Sequence, residues 1–333
     1  MATTLVTGGA GFIGRRVVER LAQDGHEVVV LDALTYVAHP GALQELSNAL
    51  PVQLVEGDVA TPQTVEAVFA RVSPELVFHL AAETHVDRSL DDAAPFLRTN
   101  VHGTWEIAQA CLRHGVQRLV HVSSDEVYGD RSGLSTSVET DPTTPTNPYS
   151  ASKACADHLV LATVRSHGLD AVVTRGANTY GPGQFPEKLL PLAARRWAAG
   201  ASMGIYGDGQ QVRHWLYVDD HADGIVAAAG APSGAVLHFG GEQATNREIL
   251  ARWATALGVD GRTETITDRP GHDRIYDLDD ARTRAMLGWK PAVSLQDGLA
   301  RTAAWQAEHP DFWDDALSRD DVRAWFARQY GSP

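Results

Sequence analysis

The chain has 333 residues, 44% of them hydrophobic and 21% charged, which leaves room for one large or two modest domains around an ample core. Its formal net charge of −14 speaks against general binding to nucleic acid or to an anionic membrane surface, both of which want basic patches, but a local cluster of arginine and lysine can still hold a small anion. The two cysteines, Cys111 and Cys155, lack metal-ligand spacing and fit a reduced, cytoplasmic setting. The first residues do not read as a basic segment followed by an apolar stretch, and no apolar run reaches membrane-spanning length.

In chain order, TTLVT (3–7) reads as a short strand, followed by glycines and a helix-spaced run, RRVVERLAQDG. HEVVVLD is a second strand closing on Asp32, VQLVEGD a third closing on Asp58, ELVFHLAA a fourth, VQRLVHVSS a fifth and DAVVTRGANTYG a sixth. Helical patterns at 62–71 and 94–114 lie between them. Apolar strands alternating with amphipathic helices predict an α/β, doubly wound parallel sheet covered on both faces. After about residue 179 the rhythm changes. GPGQFPEKLLP is rich in turn formers, a helix follows, WLYVDDHADGIVAAAG resumes strand–helix character and GAVLHFGG is another strand. This predicts a dinucleotide-binding domain of Rossmann type over 1–178 plus about 212–240, and a smaller interleaved substrate domain over 179–211 plus 241–333. Residues 310–333, acidic and aromatic, read as a helical extension to which the sequence assigns no task.

TGGAGFIG places Gly8, Gly11 and Gly14 between the first strand and its helix. Glycines there permit a tight turn, close approach of backbone to a pyrophosphate and close packing of helix on sheet, and the helix N-terminus offers unpaired N–H groups to the phosphates. The glycine pattern alone is weak, but the strand before it, the helix after it and the acid ending the second strand complete the motif. Asp32 is placed to accept from the adenosine ribose hydroxyls; its charge repels a 2′-phosphate and no arginine directly follows it, so NAD is favoured over NADP. Asp58, at the end of the third strand, is placed to meet the adenine.

YSASK sets Tyr149 and Lys153 four residues apart on one helix face. With an ordinary pKa of about 10, a tyrosine serves as a base near neutrality only when positive charge, from an ammonium and an oxidised nicotinamide, stabilises its phenolate. Ser124, at a strand end, supplies a hydroxyl for the same substrate oxygen. Beside it in SSDEVYG stand two adjacent acids, Asp125 and Glu126, which in isolation read sooner as a capping or solvated loop pair than as proton-transfer groups.

With TGGAGFIG, HLAAETHVDRS, SSDEVYG, NPYSASKACADH, NTYGPGQFPEKLLPL, IYGDGQQVRHWLYVDDH and DRPGHDRIYDLD, the chain resembles the extended short-chain dehydrogenases/reductases of the NAD-dependent epimerase/dehydratase family, and more narrowly the dTDP-glucose 4,6-dehydratases, from about residue 3 to about residue 305. The resemblance implies oxidation of a nucleotide-diphosphate hexose at C4, elimination of water across C5 and C6, and return of the hydride to C6. Ketone formation at C4 acidifies the C5 hydrogen, so this chemistry needs one acid and one base on adjacent carbons, and neighbouring carboxyls can differ in protonation. By resemblance Tyr149 deprotonates the C4 hydroxyl, Lys153 supports it and binds the nicotinamide ribose, Asp125 is the acid at C6 and Glu126 the base at C5.

The same resemblance adds Phe12, Ile13, Leu34, Thr35, Val59, Leu80, Ala81, Ala82 and Thr99 for the cofactor. For the substrate it implies Thr84, Ser124, Asn178, Lys188, Leu189, Tyr206, Arg213, Asn246 and the run Asp268–His272 with Arg269 and His272, Arg213 meeting the diphosphate. It also implies a homodimer, with helices around 94–114 and 149–167 pairing as a four-helix bundle. No metal is implied. Four departures stand out: Ser124 in a threonine's usual place, Thr179 in an asparagine's, His214 after Arg213 where an aspartate is common, and a short segment between Gly129 and Tyr149. The rival readings are a nucleotide-sugar 4-epimerase, which leaves Asp125 and Glu126 idle, a dehydratase of another nucleotide sugar such as UDP-glucose, and a catalytically silent NAD-binding regulator.

Overall fold

The computed structural model describes residues 2–330; Met1 and residues 331–333, the outer ends of the two assigned domains, lie outside them. Six strands, β1 (Thr3–Thr7), β2 (Glu27–Asp32), β3 (Val52–Glu56), β4 (Leu76–His79), β5 (Arg118–Ser124) and β6 (Ala171–Gly176), join the strand Val236–Phe239 in one parallel sheet. Its order is Val236–Phe239, β6, β5, β4, β1, β2, β3. The chain therefore winds outward from β1 in one direction, returns, and winds outward from β4 in the other. β1 and β4 lie side by side at the reversal, with Thr7 opposite His79, and their C-terminal ends diverge into a crevice there.

Alternation along the strands feeds two cores. Leu5, Val29 and Leu31 face one side, packed with Phe69, Ile107 and Val160 from the helices Pro62–Val72, Thr104–His114 and Pro148–His167. Val6, Val28 and Val30 face the other, packed with Val17 and Ile225 from Phe12–Gln23 and Val218–Ala228. The strands are near-continuous apolar runs because both faces are covered.

The sixth predicted strand is two strands. β6 ends at Gly176; after Ala177, whose N–H is taken by the Phe239 carbonyl at 3.0 Å, Asn178–Tyr180 leaves the large sheet. It pairs instead with Val212–Tyr217, which also pairs with Glu242–Thr245, in a three-stranded sheet. Val212–Tyr217, grouped by the sequence reading with the first domain, thus hydrogen-bonds in the smaller lobe, and the helix behind it, Val218–Ala228, returns to the large sheet. Met203–Tyr206 and Thr263–Ile266 form a further two-stranded sheet, and a third core rich in tryptophan (Trp197, Trp215, Trp253) fills the smaller lobe.

The helical stretch 94–114 carries a π-helical segment, Leu97–Gly103, between Ala94–Phe96 and Thr104–His114. Asn100 accounts for the widening: its amide is held by both backbone groups of Glu83 at 2.8 and 3.0 Å and by Ser152 Oγ at 2.8 Å, fixing the helix to the loop after β4. The C-terminal extension is docked as two helices, Asp314–Ser318 and Asp320–Tyr330, with Val322, Trp325 and Phe326 buried in the core of the smaller lobe. Among the described residues no helix is long and apolar enough to cross a membrane.

Candidate active site

A cavity of about 700 Å³ opens over the C-terminal ends of the parallel strands and runs beneath the smaller lobe. At one end it is lined by the glycine turn after β1. Gly8 has φ +72°, and a Cβ there would lie 2.7 Å from the Ala81 nitrogen; a Cβ on Gly14 would lie 2.1 Å from the Gly8 carbonyl oxygen. Neither position has room for a side chain, so the turn brings bare backbone and a helix N-terminus to the cavity wall, the surface a pyrophosphate needs.

Asp32 ends β2 on that wall, and its two oxygens accept from the Ala10 and Leu34 amides, each at 2.9 Å. Burial raises its pKa and those two hydrogen bonds partly offset the rise. Each oxygen keeps acceptor capacity for a ligand hydroxyl. Asp58 accepts from the Ala60 amide at 2.7 Å and contacts Arg98. Phe12, Ile13, Thr35, Val59, Leu80, Ala81, Ala82 and Thr99 line the same cavity with Gly11. Leu34 does not: with φ +50° its side chain turns into the core, and its amide serves Asp32. The glycine cradle, the strand-end carboxylate and the mostly apolar walls fit NAD.

Further along the cavity, Ser124 ends β5, and Asp125 and Glu126 open a single 3₁₀ turn behind it. The Ser124 hydroxyl accepts from the Glu126 amide at 3.2 Å and donates to Asp125 Oδ1 at 3.3 Å. The two acids then part. Asp125 is 3% exposed, and its Oδ2 is buried with no partner among the described residues. Burial first and the neighbouring Glu126 second push its pKa up to about 7, against the opposing charge of Arg213. Glu126 is half-buried and its Oε2 accepts from the Tyr276 hydroxyl at 3.2 Å. Tyr276 also lies 2.7 Å from Asp273 Oδ2, and having one proton it donates to one carboxylate at a time. Burial and Glu126 hold Tyr276 as a phenol.

Tyr149 enters from the first turn of Pro148–His167, a helix started by an Asn147–Ser150 capping box with Pro148 behind the cap. Lys153, one turn on, is buried and donates to the Val122 carbonyl at 2.6 Å; burial lowers its pKa to about 8 and Asp157 opposes this. Burial, then Glu126, raise the Tyr149 phenol, with Ser124 opposing.

Thr84, Asn178, Lys188 and Leu189 line the substrate end of the cavity, Lys188 donating to the Thr84 carbonyl at 3.0 Å. Tyr206, Arg213, Asn246, Arg269 and His272 do not line it. Arg213 is buried over the Tyr276 ring and donates to the carbonyls of Val212 and Asp273 at 2.7 Å. Tyr206, Arg269 and His272 gather in a polar cluster beyond the cavity with Asp87, Asp268 and Gln211, which Asn246 joins through Gln211. Two departures from the family pattern are absorbed locally: Thr179 Oγ1 lies 2.7 Å from His221 Nδ1, and His214 is bound by Gly241 and Asp277. Tyr276 and the buried Glu187, which accepts from Tyr36 and from Arg88 at 3.0 Å each, were missed in the sequence reading. The adjacency of Glu187 to Lys188 was the one available signal.

The family model for the NAD dependent epimerase/dehydratase family matches residues 4–239. A dTDP-glucose 4,6-dehydratase of Streptomyces griseus is 46% identical over 96% of this chain and 98% of its own, and one of Actinoplanes is 43% identical over 93% and 99%. The crystal structure of DesIV (dTDP-glucose 4,6-dehydratase) from Streptomyces venezuelae, with NAD and TYD bound, superposes with a TM-score of 0.89 at 41% identity, covering 94% of this chain and 99% of that one. A Thermus thermophilus UDP-glucose 4-epimerase complexed with NAD also superposes, with a TM-score of 0.85 at 32% identity over 91% and 98%.

Two outcomes are expected. Gly14→Ala should weaken NAD binding roughly tenfold to a hundredfold by titration calorimetry, whereas Gly11→Ala, whose Cβ would lie 3.3 Å from the Gly8 oxygen, should do so less. Because native Asp125 keeps its proton up to about pH 7 while the unfolded carboxyl loses it near pH 4, its contribution to stability falls as pH rises between these values. Asp125→Asn should therefore gain thermal stability over wild type on going from pH 5 to pH 8; an unchanged difference would mean that the native carboxyl is ionised throughout. By family model, near-full-length identity and superposition over the same sheet and crevice, the chain belongs to the NAD dependent epimerase/dehydratase family.

Proposed function

We propose that the chain is a dTDP-glucose 4,6-dehydratase, forming dTDP-4-keto-6-deoxyglucose and water. The relatives at 46% and 43% identity are dTDP-glucose 4,6-dehydratases, whereas the UDP-glucose 4-epimerase is 32% identical, and this supports the dehydratase reading. The single observation that carries the choice is the unequal placing of Asp125 and Glu126 at the cavity shared by Ser124, Tyr149 and Lys153. An epimerase has no task for a carboxyl held protonated beside another carboxylate.

Bound NAD supplies the acceptor for the C4 hydride and returns that hydride to C6. The chain's residues manage the protons. Tyr149, beside Ser124 at the cavity wall, takes the C4 hydroxyl proton; its phenol is raised by burial, so it depends on the positive charge that Lys153 keeps in the site. Glu126 removes the C5 proton made acidic by the new ketone. Asp125 gives its proton to the departing C6 hydroxyl, so that water leaves and a C5–C6 double bond remains. Glu126 then returns a proton to C5. Each proton transfer is worth on the order of 10²–10⁴ in rate. The Asn178–Leu189 wall and Thr84 hold the hexose, and the nucleotide diphosphate extends past the cavity toward the cluster of Tyr206 and Arg269, whose Nε has no partner among the described residues. Leu97 and Trp105 are exposed on the helical stretch that packs against Pro148–His167, on which Cys155 is also exposed, and a second copy of the chain packs on this pair of helices as a homodimer. A free cysteine pair and a sugar-nucleotide substrate fit a cytoplasmic location.

Incubation with NAD and dTDP-glucose in deuterated water should give a sugar nucleotide that has lost one water and gained deuterium at C5, by mass spectrometry and NMR. An isomer of unchanged mass would identify an epimerase. UDP-, GDP- and CDP-glucose in parallel fix the nucleotide. Glu126→Gln should lower turnover on the order of 10²–10⁴ and let reduced cofactor accumulate; full turnover would remove Glu126 from the mechanism.

A further inference from the structure

The C-terminal helix Asp320–Tyr330 reaches the polar cluster at the far end of the substrate site. Asp87, 8% exposed in the short helix Val86–Asp91, is the hub of that cluster. Its Oδ1 accepts from Arg269 Nη1 at 2.7 Å, and its Oδ2 from the Tyr206 hydroxyl at 3.1 Å and from Gln329 Nε2 at 3.3 Å. Gln329 Nε2 also lies 3.3 Å from the Tyr206 hydroxyl oxygen. Four segments far apart in sequence thus meet on one carboxylate, and no bond in the set is between sequence neighbours. Next to it, Tyr330 of the same helix lies 3.2 Å from His85 Nε2, and Trp325 and Tyr36 sandwich Arg88 at 4.3 and 4.0 Å, so the helix is fastened on both sides of Asp87.

We propose that Asp87, backed by Gln329 of the C-terminal helix, is a positioning residue that sets Arg269 and Tyr206 for the diphosphate-bearing end of the substrate. The proposal rests on the assignment of a nucleotide-diphosphate sugar to this site. The arginine's geometry supports it. One Nη of Arg269 is spent on Asp87, while its Nε is buried with no partner among the described residues. A buried guanidinium N–H left unmatched is costly unless a ligand accepts from it, and a carboxylate clamped to the other edge fixes where that N–H points. Burial raises the Asp87 pKa, and Arg269, His85 and Tyr206 together outweigh it, so the clamp is an anion. The aromatic, acidic extension that the sequence left without a task thereby becomes part of the substrate site's frame, without touching the reacting carbons.

The test uses the full-length protein and dTDP as probe, with NAD binding measured alongside. Asp87→Asn should weaken dTDP binding on the order of tenfold to a hundredfold and raise KM for dTDP-glucose by a similar factor, with a smaller change in kcat and no change in NAD affinity. Gln329→Leu should weaken dTDP binding roughly threefold, in the same pattern; if Asp87→Asn does not fold, this variant decides. Unchanged dTDP affinity in the folded variants, or equal losses for dTDP and NAD, would overturn the proposal. If wild type binds UDP or GDP but not dTDP, the assigned nucleotide is wrong, and the same comparison is made with the nucleotide that binds. If wild type binds none of them, both the functional reading and this proposal fail.

Discussion

Carboxyl groups on consecutive residues of an extended strand point to opposite faces of the sheet, so both reach one cavity, each in its own surroundings, only where the chain turns, and the whole site depends on that turn. β5 ends at Ser124, whose hydroxyl receives the Glu126 amide and closes the 3₁₀ turn, sending Asp125 inward and Glu126 toward the loop that carries Tyr276. Enclosed and beside a like charge, Asp125 keeps its proton near neutrality. Two adjacent acids that differ by one methylene thus come to stand in different surroundings, Asp125 enclosed and raised by burial and by the Glu126 charge, Glu126 half-buried beside the Tyr276 hydroxyl.

The rest of the fold brings substrate and cofactor to this point. Reversal of the strand order between β1 and β4 opens the crevice, and the glycine turn lays a helix N-terminus against it. The capping box at Asn147 fixes where the helix begins and so where Tyr149 and Lys153 stand. The π-helical widening at Leu97–Gly103, held by Asn100, ties the helix behind the site to the loop after β4 that lines it. The smaller lobe closes the far side through Tyr276, Lys188 and the docked C-terminal helix.

What was legible in the sequence follows from what is local. Strand alternation, the glycine turn, the Tyr149–Lys153 spacing and the acid at the end of β2 are short-range patterns, and the structure places them along one edge of one parallel sheet. Contacts across long separations were not legible: Tyr276 reaches Glu126 over 150 residues, and Gln329 reaches Asp87 over 242. Periodicity carries no information about such pairs. The sixth strand was read as continuous because its apolar composition does not change where its partner does; only the Phe239 carbonyl taking the Ala177 amide marks the break. Leu34 and Arg213 show the same limit in reverse, their side chains being claimed by core packing and by backbone carbonyls that no motif announces.

The central claim is that burial and the neighbouring Glu126 keep a proton on Asp125 up to near neutrality. Infrared difference spectroscopy of wild type against Asp125→Asn near pH 6 reads this directly. The account predicts that wild type shows the carbonyl stretch of one protonated carboxylic acid that the variant lacks. A difference confined to ionised-carboxylate bands would contradict it and leave the adjacent acids without distinct roles.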